Sequence, residues 1–243
     1  MQEVFLAVTD NRPLTKDVYE MTLQGDLSAI RAPGQFVNLR VEGCYLRRPL
    51  SVCDREGDRL TLIYRVVGKG TEILSGMKPG TKINTLTGLG NGFSPERGGE
   101  RPLLVGGGVG VPPLYYLCRE LLKAGARPTV LLGFNTAREV FYEEKFRALG
   151  AAVTVLTADG TYGGKGFVTD ALPGLSYTYF YACGPMPMFR ALNEAAKTPG
   201  EYSFEERMGC GFGACMGCSC QTKSGPKRIC VEGPVLRSEE VIW

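Results

Sequence analysis

Four cysteines near the C-terminal end of the sequence have the spacing of a metal-cluster site. Cys210, Cys215 and Cys218 follow the pattern C-x4-C-x2-C, and Cys230 follows after eleven further residues. This is the ligand spacing of plant-type [2Fe–2S] proteins. A zinc site more typically uses paired C-x2-C units. Glycines between the cysteines let the loop wrap closely and direct backbone N–H groups at the sulfurs, so the pattern favours iron–sulfur and leaves zinc as the weaker alternative.

The remaining cysteines are not expected to form a disulfide framework. The chain has nine cysteines, an odd number, and its first residues, MQEVFLAVTDNRP, lack the basic region and long apolar core of a signal peptide. We therefore expect a cytoplasmic protein with reduced thiols. Cys220 lies two residues beyond Cys218, where strand alternation points a side chain elsewhere. Three cysteines of the earlier segments are expected to pack as small hydrophobic side chains: Cys44, Cys53 and Cys118.

The sequence contains no histidine, which excludes several kinds of chemistry. Ser-His-Asp catalysis, HExxH zinc hydrolysis, Rieske clusters and His-ligated haem all require that residue. The 28 basic and 25 acidic residues give a formal net charge of +3 without a Lys/Arg block, so nucleic acid is not an expected partner. No apolar run approaches the roughly 20 residues of a membrane span. The chemistry is therefore expected to reside on a cofactor, with no catalytic side chain.

Three turns that follow apolar strands indicate a nucleotide site. The glycine loop GGGVGVPP (106–113) opens a helix, and glycines let a backbone approach a pyrophosphate at a helix N-terminus. The loop departs from G-x-G-x-x-G at Pro112, and no acid follows the next strand, which ends at 133–135. CGPM (183–186) and the turn around Asp159 also end strands. The alternative is a set of tight strand-to-helix turns, with Cys183 a small buried side chain.

Two stretches in the first hundred residues carry possible phosphate contacts. RRPLSVCD (47–54) places an arginine and a serine beside one strand, where they could meet a phosphate. IYRVVGKGT (63–71) ends in a glycine-containing turn before a short helical run, a second candidate anion nest. The alternative is a basic edge strand followed by an ordinary turn.

The pattern of elements predicts a multidomain α/β plus β protein. Residues 1–97 read as short strands separated by Gly and Pro, including 4–10, 18–23, 35–41 and 59–67, which predicts a small antiparallel β-barrel. Residues 98–200 alternate strands and helices, with a helix expected over 140–150, which predicts a parallel-sheet nucleotide-binding domain. Residues 201–243 form the small cluster-binding domain.

Taken together, these motifs resemble one family over essentially the whole chain. The barrel and α/β segments resemble the ferredoxin–NADP reductase superfamily. The whole chain resembles the electron-transfer subunits of class 1B, NAD-dependent dihydroorotate dehydrogenases. The most specific matching stretches are LRRPLSV (46–52), IYRVVGKGT (63–71), LLVGGGVGVPPLYYL (103–117), VFYEEKFRALG (140–150), TADGTYGGKGFVT (157–169) and EERMGCGFGACMGC (205–218).

The resemblance assigns cofactor sites residue by residue. It places FAD in the barrel at Arg48, Pro49, Leu50, Ser51, Ile63, Tyr64, Arg65, Gly70 and Thr71. Leu50 stands where many superfamily members have an aromatic residue. It places NAD, as substrate, at the loops Gly106, Gly107, Gly108, Val109, Gly110, Pro112, Cys183, Gly184, Pro185 and Met186, to which the turn at Asp159 is added. It places the [2Fe–2S] cluster at Cys210, Cys215, Cys218 and Cys230.

The family also implies a partner and a direction. An FMN-containing catalytic subunit would oxidise dihydroorotate to orotate in pyrimidine biosynthesis. Its electrons would pass through the cluster and FAD to NAD+, in a heterotetramer with two copies of each subunit. One alternative keeps the cofactors but changes the partner, as in sulfhydrogenases or NADH-dependent ferredoxin–NADP oxidoreductases. A non-enzymatic alternative is a zinc-stabilised nucleotide-binding module.

Overall fold

The computed structural model describes all 243 residues and begins with a closed six-stranded antiparallel barrel of order β1-β2-β5-β4-β3-β6. Its elements are β1 (Gln2–Pro13), β2 (Val18–Gln24), β3 (Phe36–Leu39), β4 (Arg48–Glu56), β5 (Arg59–Arg65), helix α1 (Lys69–Ser75) and β6 (Lys82–Leu89). Alternate side chains point inward, as Leu60, Leu62 and Tyr64 of β5 do, and form the barrel core. The predicted barrel is confirmed. The four strands singled out from the sequence are joined by β4 and β6, whose polar, glycine and proline residues weaken the strand pattern.

A seven-stranded sheet follows, in the order β10-β9-β8-β7-β11-β12-β15, where β15 is the C-terminal strand Val235–Arg237. Its elements in chain order are β7 (Pro102–Gly107), α2 (Pro112–Lys123), β8 (Thr129–Phe134), α3 (Glu143–Ala148), β9 (Ala152–Thr157), β10 (Gly164–Lys165), β11 (Tyr179–Cys183), α4 (Met186–Ala195) and β12 (Gly200–Ser203). These strands pair in parallel, so the predicted parallel-sheet domain is confirmed.

The chain order creates a switch point between β7 and β11. From β7 the chain builds outward through β8, β9 and β10, and it then returns to the other side of β7 with β11. Helices α2 and α3 cover one face of the sheet, and α4 covers the other. Ligands of open α/β sheets bind beyond the carboxyl ends of the strands at such a point. The glycine loop and the CGPM turn both lie there.

The helix predicted over residues 140–150 is shorter in the structure. Tyr142 has a left-handed backbone conformation, with φ of 68°, and α3 begins only at the next residue, Glu143. Val140, two residues before Tyr142, is extended, since its φ and ψ are −68° and 127°. The turn at Tyr142 buries that ring between the sheet and the barrel. A helical reading of the sequence cannot show this, because the cause lies in the other domain.

The last forty residues attach to both earlier parts of the molecule. They contain the hairpin β13 (Ser219–Thr222) and β14 (Gly225–Arg228), followed by β15 (Val235–Arg237). Strand β15 pairs antiparallel with β12, so the C-terminal segment returns to the nucleotide-binding sheet. The domain boundary predicted at residue 200 falls inside β12, because Gly200 and its three successors already pair with β11.

The barrel and the α/β domain share a hydrophobic core. Val18, Cys53 and Ile63 of the barrel belong to one buried cluster with the apolar face of α2. Polar contacts reinforce this interface, since Arg119 Nη1 of α2 lies 2.6 Å from Asp54 Oδ1 of β4. The predicted FAD strand is therefore held firmly against the nucleotide-binding domain. None of the four α-helices has the length and apolar character that crossing a membrane requires.

Candidate functional site

Arg48, the first residue of β4, lies across the start of α1. A Cβ atom added at Gly70 would overlap the Arg48 guanidinium, so a side chain there would displace Arg48 from this position. Arg48 Nη1 also donates a hydrogen bond to the carbonyl of Leu46 at 2.6 Å. The fold thus brings together Arg48 of the first predicted FAD stretch, 47–54, and Gly70 of the second, 63–71.

Thr71 holds the turn in front of α1. Its Oγ1 accepts hydrogen bonds from the N–H groups of Val67 and Gly68 at 2.9 and 3.2 Å. The same hydroxyl donates to the carbonyl of Gly68 at 2.9 Å. The Thr71 side chain is therefore engaged within the turn, and the backbone beside it is what the turn presents to its surroundings.

Residues Pro49 to Ser51 continue β4 past Arg48. Pro49 lies opposite Asn38 of β3, and Ser51 lies opposite Phe36. Both are half-buried and, by strand alternation, share the outer face of the barrel. Leu50 lies between them and packs against the barrel core. Pro49 and Ser51 therefore face the surface that a flavin could use, while Leu50 points largely inward.

The side chains of Ile63, Tyr64 and Arg65 do not all face one ligand site. Tyr64 is buried in the barrel, and its hydroxyl donates to Asn11 Oδ1 at 3.0 Å. Ile63 packs in the core shared with α2. Arg65 Nε lies 3.1 Å from Asp17 Oδ2. Of the three, Tyr64 could reach a cofactor only through its backbone.

The two predicted nicotinamide loops touch each other at the switch point. Cys183 at the end of β11 pairs with Gly106 at the end of β7. A Cβ atom at Gly110 would overlap the carbonyl of Cys183, so the two loops approach backbone to backbone. Gly108 has a φ of 52°, and a side chain there would meet nothing within 4 Å. The glycines therefore serve two ends: close packing at Gly110 and open backbone at Gly108.

The other residues of these loops support or border that opening. Gly107 and Gly184 both pack against Met188 of α4. Pro112 is buried and begins α2, Val109 is half-buried, and Pro185 and Met186 are exposed at the start of α4. Burial raises the pKa of the Cys183 thiol to about 12, so this cysteine is a neutral thiol at physiological pH.

Asp159 lies at the same sheet edge, just after β9. It is exposed, and its Oδ1 accepts hydrogen bonds from the hydroxyl and the N–H of Thr161 at 2.7 and 3.0 Å. These bonds hold the pKa of Asp159 below its usual value. A charged carboxylate thus stands at the carboxyl edge of the sheet, although no acid follows β8 at the position expected from the sequence.

The first two predicted cluster cysteines accept a set of backbone hydrogen bonds. Cys210 Sγ accepts from the N–H groups of Phe212, Ala214 and Cys215 at 3.5, 3.2 and 3.4 Å. Cys215 Sγ accepts from Cys210 at 3.4 Å and from Gly217 at 3.5 Å. Burial acts to raise the pKa of Cys210, but these amides outweigh it and lower the pKa to about 6. The loop is built to hold a thiolate.

Cys218 and Cys230 form a second, buried pair. Burial, together with the neighbouring Cys218 thiol, raises the pKa of Cys230 to about 12. No group of three or more His, Cys, Asp and Glu side chains is placed to hold a single metal ion. The four thiols stand as two pairs, one at the surface and one beneath it. Such a donor set, with five amides directed at the outer sulfurs, fits a two-iron cluster.

Two residues that contact the cysteine loop were not identified from the sequence. Asn38 Nδ2 donates to the carbonyl of Cys210 at 3.1 Å, and Arg228 Nη1 donates to the carbonyl of Gly213 at 2.9 Å. Asn38 did leave a signal, because it is the one polar residue within the strand FVNL. Arg228 left none that distinguishes it from other surface arginines.

Two family models match the chain. Residues 205–242 match the iron–sulfur cluster binding domain of dihydroorotate dehydrogenase B, and residues 104–194 match the oxidoreductase NAD-binding domain. The first covers all four predicted cluster cysteines, and the second covers both the glycine loop and the CGPM turn. Each predicted cofactor region outside the barrel therefore lies within a matching domain.

Curated relatives match over the full length. The chain is 44% identical over 255 residues to the protein of Bacillus pumilus (strain SAFR-032) named dihydroorotate dehydrogenase B (NAD(+)), electron transfer subunit, covering 99% of this chain and 98% of the relative. A protein of the same name from Geobacillus sp. (strain WCH70) is 44% identical over 256 residues, covering 100% of this chain and 99% of the relative.

Solved structures confirm the architecture. A chain of an NADH-dependent reduced ferredoxin-NADP oxidoreductase superposes with a TM-score of 0.89 at 30% identity, covering 99% of this chain and 90% of that one. A ferredoxin NADP+ reductase from Neisseria gonorrhoeae with bound FAD and NADP shares the fold, with a TM-score of 0.70 at 17% identity, covering 84% of this chain and 100% of that one.

The resemblance inferred from the sequence is confirmed by these matches. The chain belongs to the family of dihydroorotate dehydrogenase B (NAD+) electron transfer subunits, oxidoreductase subunits with an iron–sulfur cluster binding domain and an NAD-binding domain.

Proposed function

We propose that this chain carries electrons from an FMN-containing catalytic subunit, which oxidises dihydroorotate to orotate, to NAD+. The relatives' name, electron transfer subunit, implies a catalytic partner. The assembly is a heterotetramer with two copies of each subunit. Its compartment is the cytoplasm, where reducing conditions keep the nine cysteines out of disulfide bonds.

One observation carries this proposal: the cysteine loop is attached to the barrel strand that faces the predicted FAD element. Asn38 lies opposite Pro49 in the β3–β4 ladder, and its side chain donates to the carbonyl of Cys210. The two predicted redox sites therefore share a contact within one rigid unit. A zinc-stabilised binding module would have no need for such an attachment.

The residues suit the groups that they would hold. Cys210 and Cys215 would bind one iron atom, and Cys218 and Cys230 the other. Arg48 places a permanent positive charge beside Gly70, which suits a flavin pyrophosphate. When bound, the cluster exchanges single electrons, nicotinamide exchanges a hydride, and FAD can do both. No side chain is needed as a general acid or base, in keeping with a sequence that lacks histidine.

The nucleotide-binding loops would position the dinucleotide at the β7/β11 switch point. Open backbone at Gly108 admits a pyrophosphate, because no Cβ atom blocks the approach. Asp159 would accept hydrogen bonds from a ribose, and its charge would oppose a 2′-phosphate. Cys183 stays a neutral thiol and would border the nicotinamide without exchanging a proton.

A second candidate function keeps these sites and changes the partner. The structural match to the NADH-dependent ferredoxin-NADP oxidoreductase covers nearly the whole chain. The curated relatives are more similar, at 44% against 30% identity, and they favour the dihydroorotate complex.

Co-purification and activity separate the two candidates. We expect the native chain to co-purify one-to-one with an FMN-containing subunit, at the mass of a two-plus-two assembly, and to contain FAD, iron and sulfide rather than zinc. The isolated chain should oxidise NADH with an artificial acceptor and leave dihydroorotate unchanged until the catalytic subunit is added. Dihydroorotate oxidation by the isolated chain, or co-purification with a different redox enzyme, would contradict the proposal.

A further inference from the structure

Arg228 lies beneath the cysteine loop as the last residue of β14. Its Nη1 donates to the carbonyl of Gly213 in that loop at 2.9 Å. The rest of the guanidinium is held by Glu232: Nε lies 3.2 and 3.1 Å from the two carboxylate oxygens, and Nη2 donates to one of them as well. Glu232 also accepts from the backbone N–H of Arg228 at 2.7 Å. Arg228 is therefore fixed at three points around one carboxylate and directed at one carbonyl.

The carbonyl that Arg228 contacts belongs to a peptide group that also contacts a cluster cysteine. The Gly213 carbonyl and the Ala214 N–H are two ends of the same peptide, and a trans peptide directs them to opposite sides. The Ala214 N–H donates to Cys210 Sγ at 3.2 Å, the shortest of the five N–H···S contacts in the loop. One planar group thus connects the Arg228 guanidinium to the Cys210 sulfur.

Gly213 is the residue that makes this arrangement possible. Its φ is 94°, in the left-handed region that favours glycine. A Cβ atom there would lie 2.7 Å from Val231 and 3.2 Å from Arg228 Nη1, so a side chain would push the guanidinium away from the carbonyl. Loop conformation and arginine position are therefore matched to each other.

We propose that Arg228 is a positioning residue that sets the reduction potential of the cluster through the Gly213–Ala214 peptide. Hydrogen bonds in series polarise one another, so a guanidinium on the carbonyl strengthens the N–H as a donor. Reduction adds negative charge to the cluster and its thiolates, and a stronger donor on Cys210 stabilises that charge. Hydrogen bonds to the ligand sulfurs are among the factors that set such potentials. Arg228 therefore raises the potential of the bound cluster.

The inference rests on the proposed function only in that Cys210 is a cluster ligand; it does not depend on which partner supplies the electrons. The test uses the full chain with its cluster and FAD, in the variants Arg228→Met and Arg228→Lys. Arg237→Met is the matched control, because Arg237, the last residue of β15, pairs with Glu239 and Glu240 and does not contact the loop.

EPR-monitored redox titration of Arg228→Met should show a lower cluster potential with unchanged iron, sulfide and FAD content. Pulsed EPR of the reduced cluster in D2O should show a weaker coupling to the exchangeable Ala214 hydrogen. Loss of the Arg228 positive charge would not by itself produce this change. Arg228→Lys should fall between Arg228→Met and the native chain, and Arg237→Met should match the native chain.

Native potential and coupling in a cluster-loaded Arg228→Met variant would overturn the proposal. Failure of both Arg228 variants to retain a cluster would also overturn it, because Arg228 would then serve assembly rather than tuning. A native chain that holds zinc would contradict the proposed function itself before any variant is compared, whereas an unexpected partner would leave the Arg228 result unaffected.

Discussion

The side-chain amide of Asn38 donates a hydrogen bond to the carbonyl of Cys210, with 3.1 Å between Nδ2 and the oxygen. These residues are 172 positions apart in the chain, and Asn38 is only 1% exposed. Gly211 follows Cys210, and a Cβ atom there would overlap the same amide, so the loop packs directly on Asn38. A single side chain of the barrel thus fixes where the first cluster cysteine stands relative to the strand that carries Arg48 and Ser51.

Replacing Asn38 should therefore loosen the cysteine loop without emptying either site. Asn38→Ala removes one buried hydrogen bond, which costs roughly 1 kcal/mol of stability. We expect slower reduction of the cluster by NADH in stopped-flow absorbance, while the flavin is reduced at the native rate. The control is Asn84→Ala on the neighbouring strand β6, since the Asn84 side chain oxygen has no partner and does not contact the loop. Equal cluster reduction in both variants would show that Asn38 does not set the coupling.

Asp159 should control the choice between the two nicotinamide nucleotides. Its carboxylate is charged at neutral pH and exposed at the sheet edge, and the Thr161 hydrogen bonds lower its pKa further. Asp159→Asn removes the charge that opposes a 2′-phosphate, so kcat/KM for NADPH relative to NADH should rise by about tenfold, corresponding to about 1.4 kcal/mol. Glu144→Gln, which neutralises an exposed carboxylate on α3, should leave the ratio unchanged. If the NADPH/NADH ratio is unaltered in Asp159→Asn, another residue discriminates between the two nucleotides.

The hydroxyl of Tyr142 should stabilise the interface between the barrel and the nucleotide-binding domain. It donates to Glu20 Oε2 at 2.6 Å, and Arg12 Nη2 donates to the other oxygen at 2.6 Å. Glu20 is 4% exposed, so a lost partner is not readily replaced by water. Tyr142→Phe should lower the free energy of unfolding at pH 7 by roughly 1–3 kcal/mol. The matched control is Tyr19→Phe, which removes a barrel hydroxyl that has no hydrogen-bond partner in the structure.

The effect of Tyr142→Phe should depend on pH in a defined direction. Burial acts to raise the pKa of Glu20, but the hydrogen bonds from Tyr142 and Arg12 outweigh it, and the folded-state pKa lies below the ordinary value. The carboxylate network therefore stabilises the protein above that ordinary value, and its contribution is lost as pH falls through the lowered pKa. The difference in melting temperature between native and Tyr142→Phe protein should be largest near neutral pH and shrink below about pH 4. A difference that grows on acidification would contradict the assignment.

The sequence predicted features whose cause is local. Cys210, Cys215 and Cys218 lie in one loop, and the glycine loop and CGPM turn each follow an apolar strand. Residue spacing and strand type were therefore sufficient to predict where these loops lie in the chain. Tyr64 shows the limit: its neighbours in IYR suggested a shared role, but strand alternation buries its ring inside the barrel. Which face of a strand meets a cofactor depends on register across the sheet, and a motif does not contain that information.

Contacts between segments far apart in the chain could not be predicted from the sequence either. The bond from Tyr142 to Glu20 joins residues 122 positions apart, and it accompanies a left-handed residue where the sequence predicted a helix. The pairing of β15 with β12 likewise draws the C-terminal segment into a sheet that seemed complete before it. In each case a short segment acquires its structure from a partner elsewhere in the fold, because tertiary contacts override the local propensity of such segments.

Cys220 should be dispensable for the cluster, and Cys215 should not. Cys215 is exposed in the loop and accepts N–H hydrogen bonds from Cys210 and Gly217. Cys220 lies on β13, outside the cysteine loop and opposite Lys227 of β14, and it packs against a hydrophobic cluster. Cys220→Ser should keep native iron and sulfide content and native visible absorption.

Cys215→Ser should lose the cluster absorption and keep FAD, because Arg48, Gly70 and Thr71 form their contacts entirely within the barrel. Flavin content measured after denaturation gives the comparison in the same samples. If Cys220→Ser loses the cluster, Cys220 is a ligand and one of the four assigned cysteines is not. Joint loss of cluster and FAD in Cys215→Ser would instead mean that the Asn38 contact makes the two sites fold together, since it is the hydrogen bond that connects the cysteine loop to the flavin-facing strands.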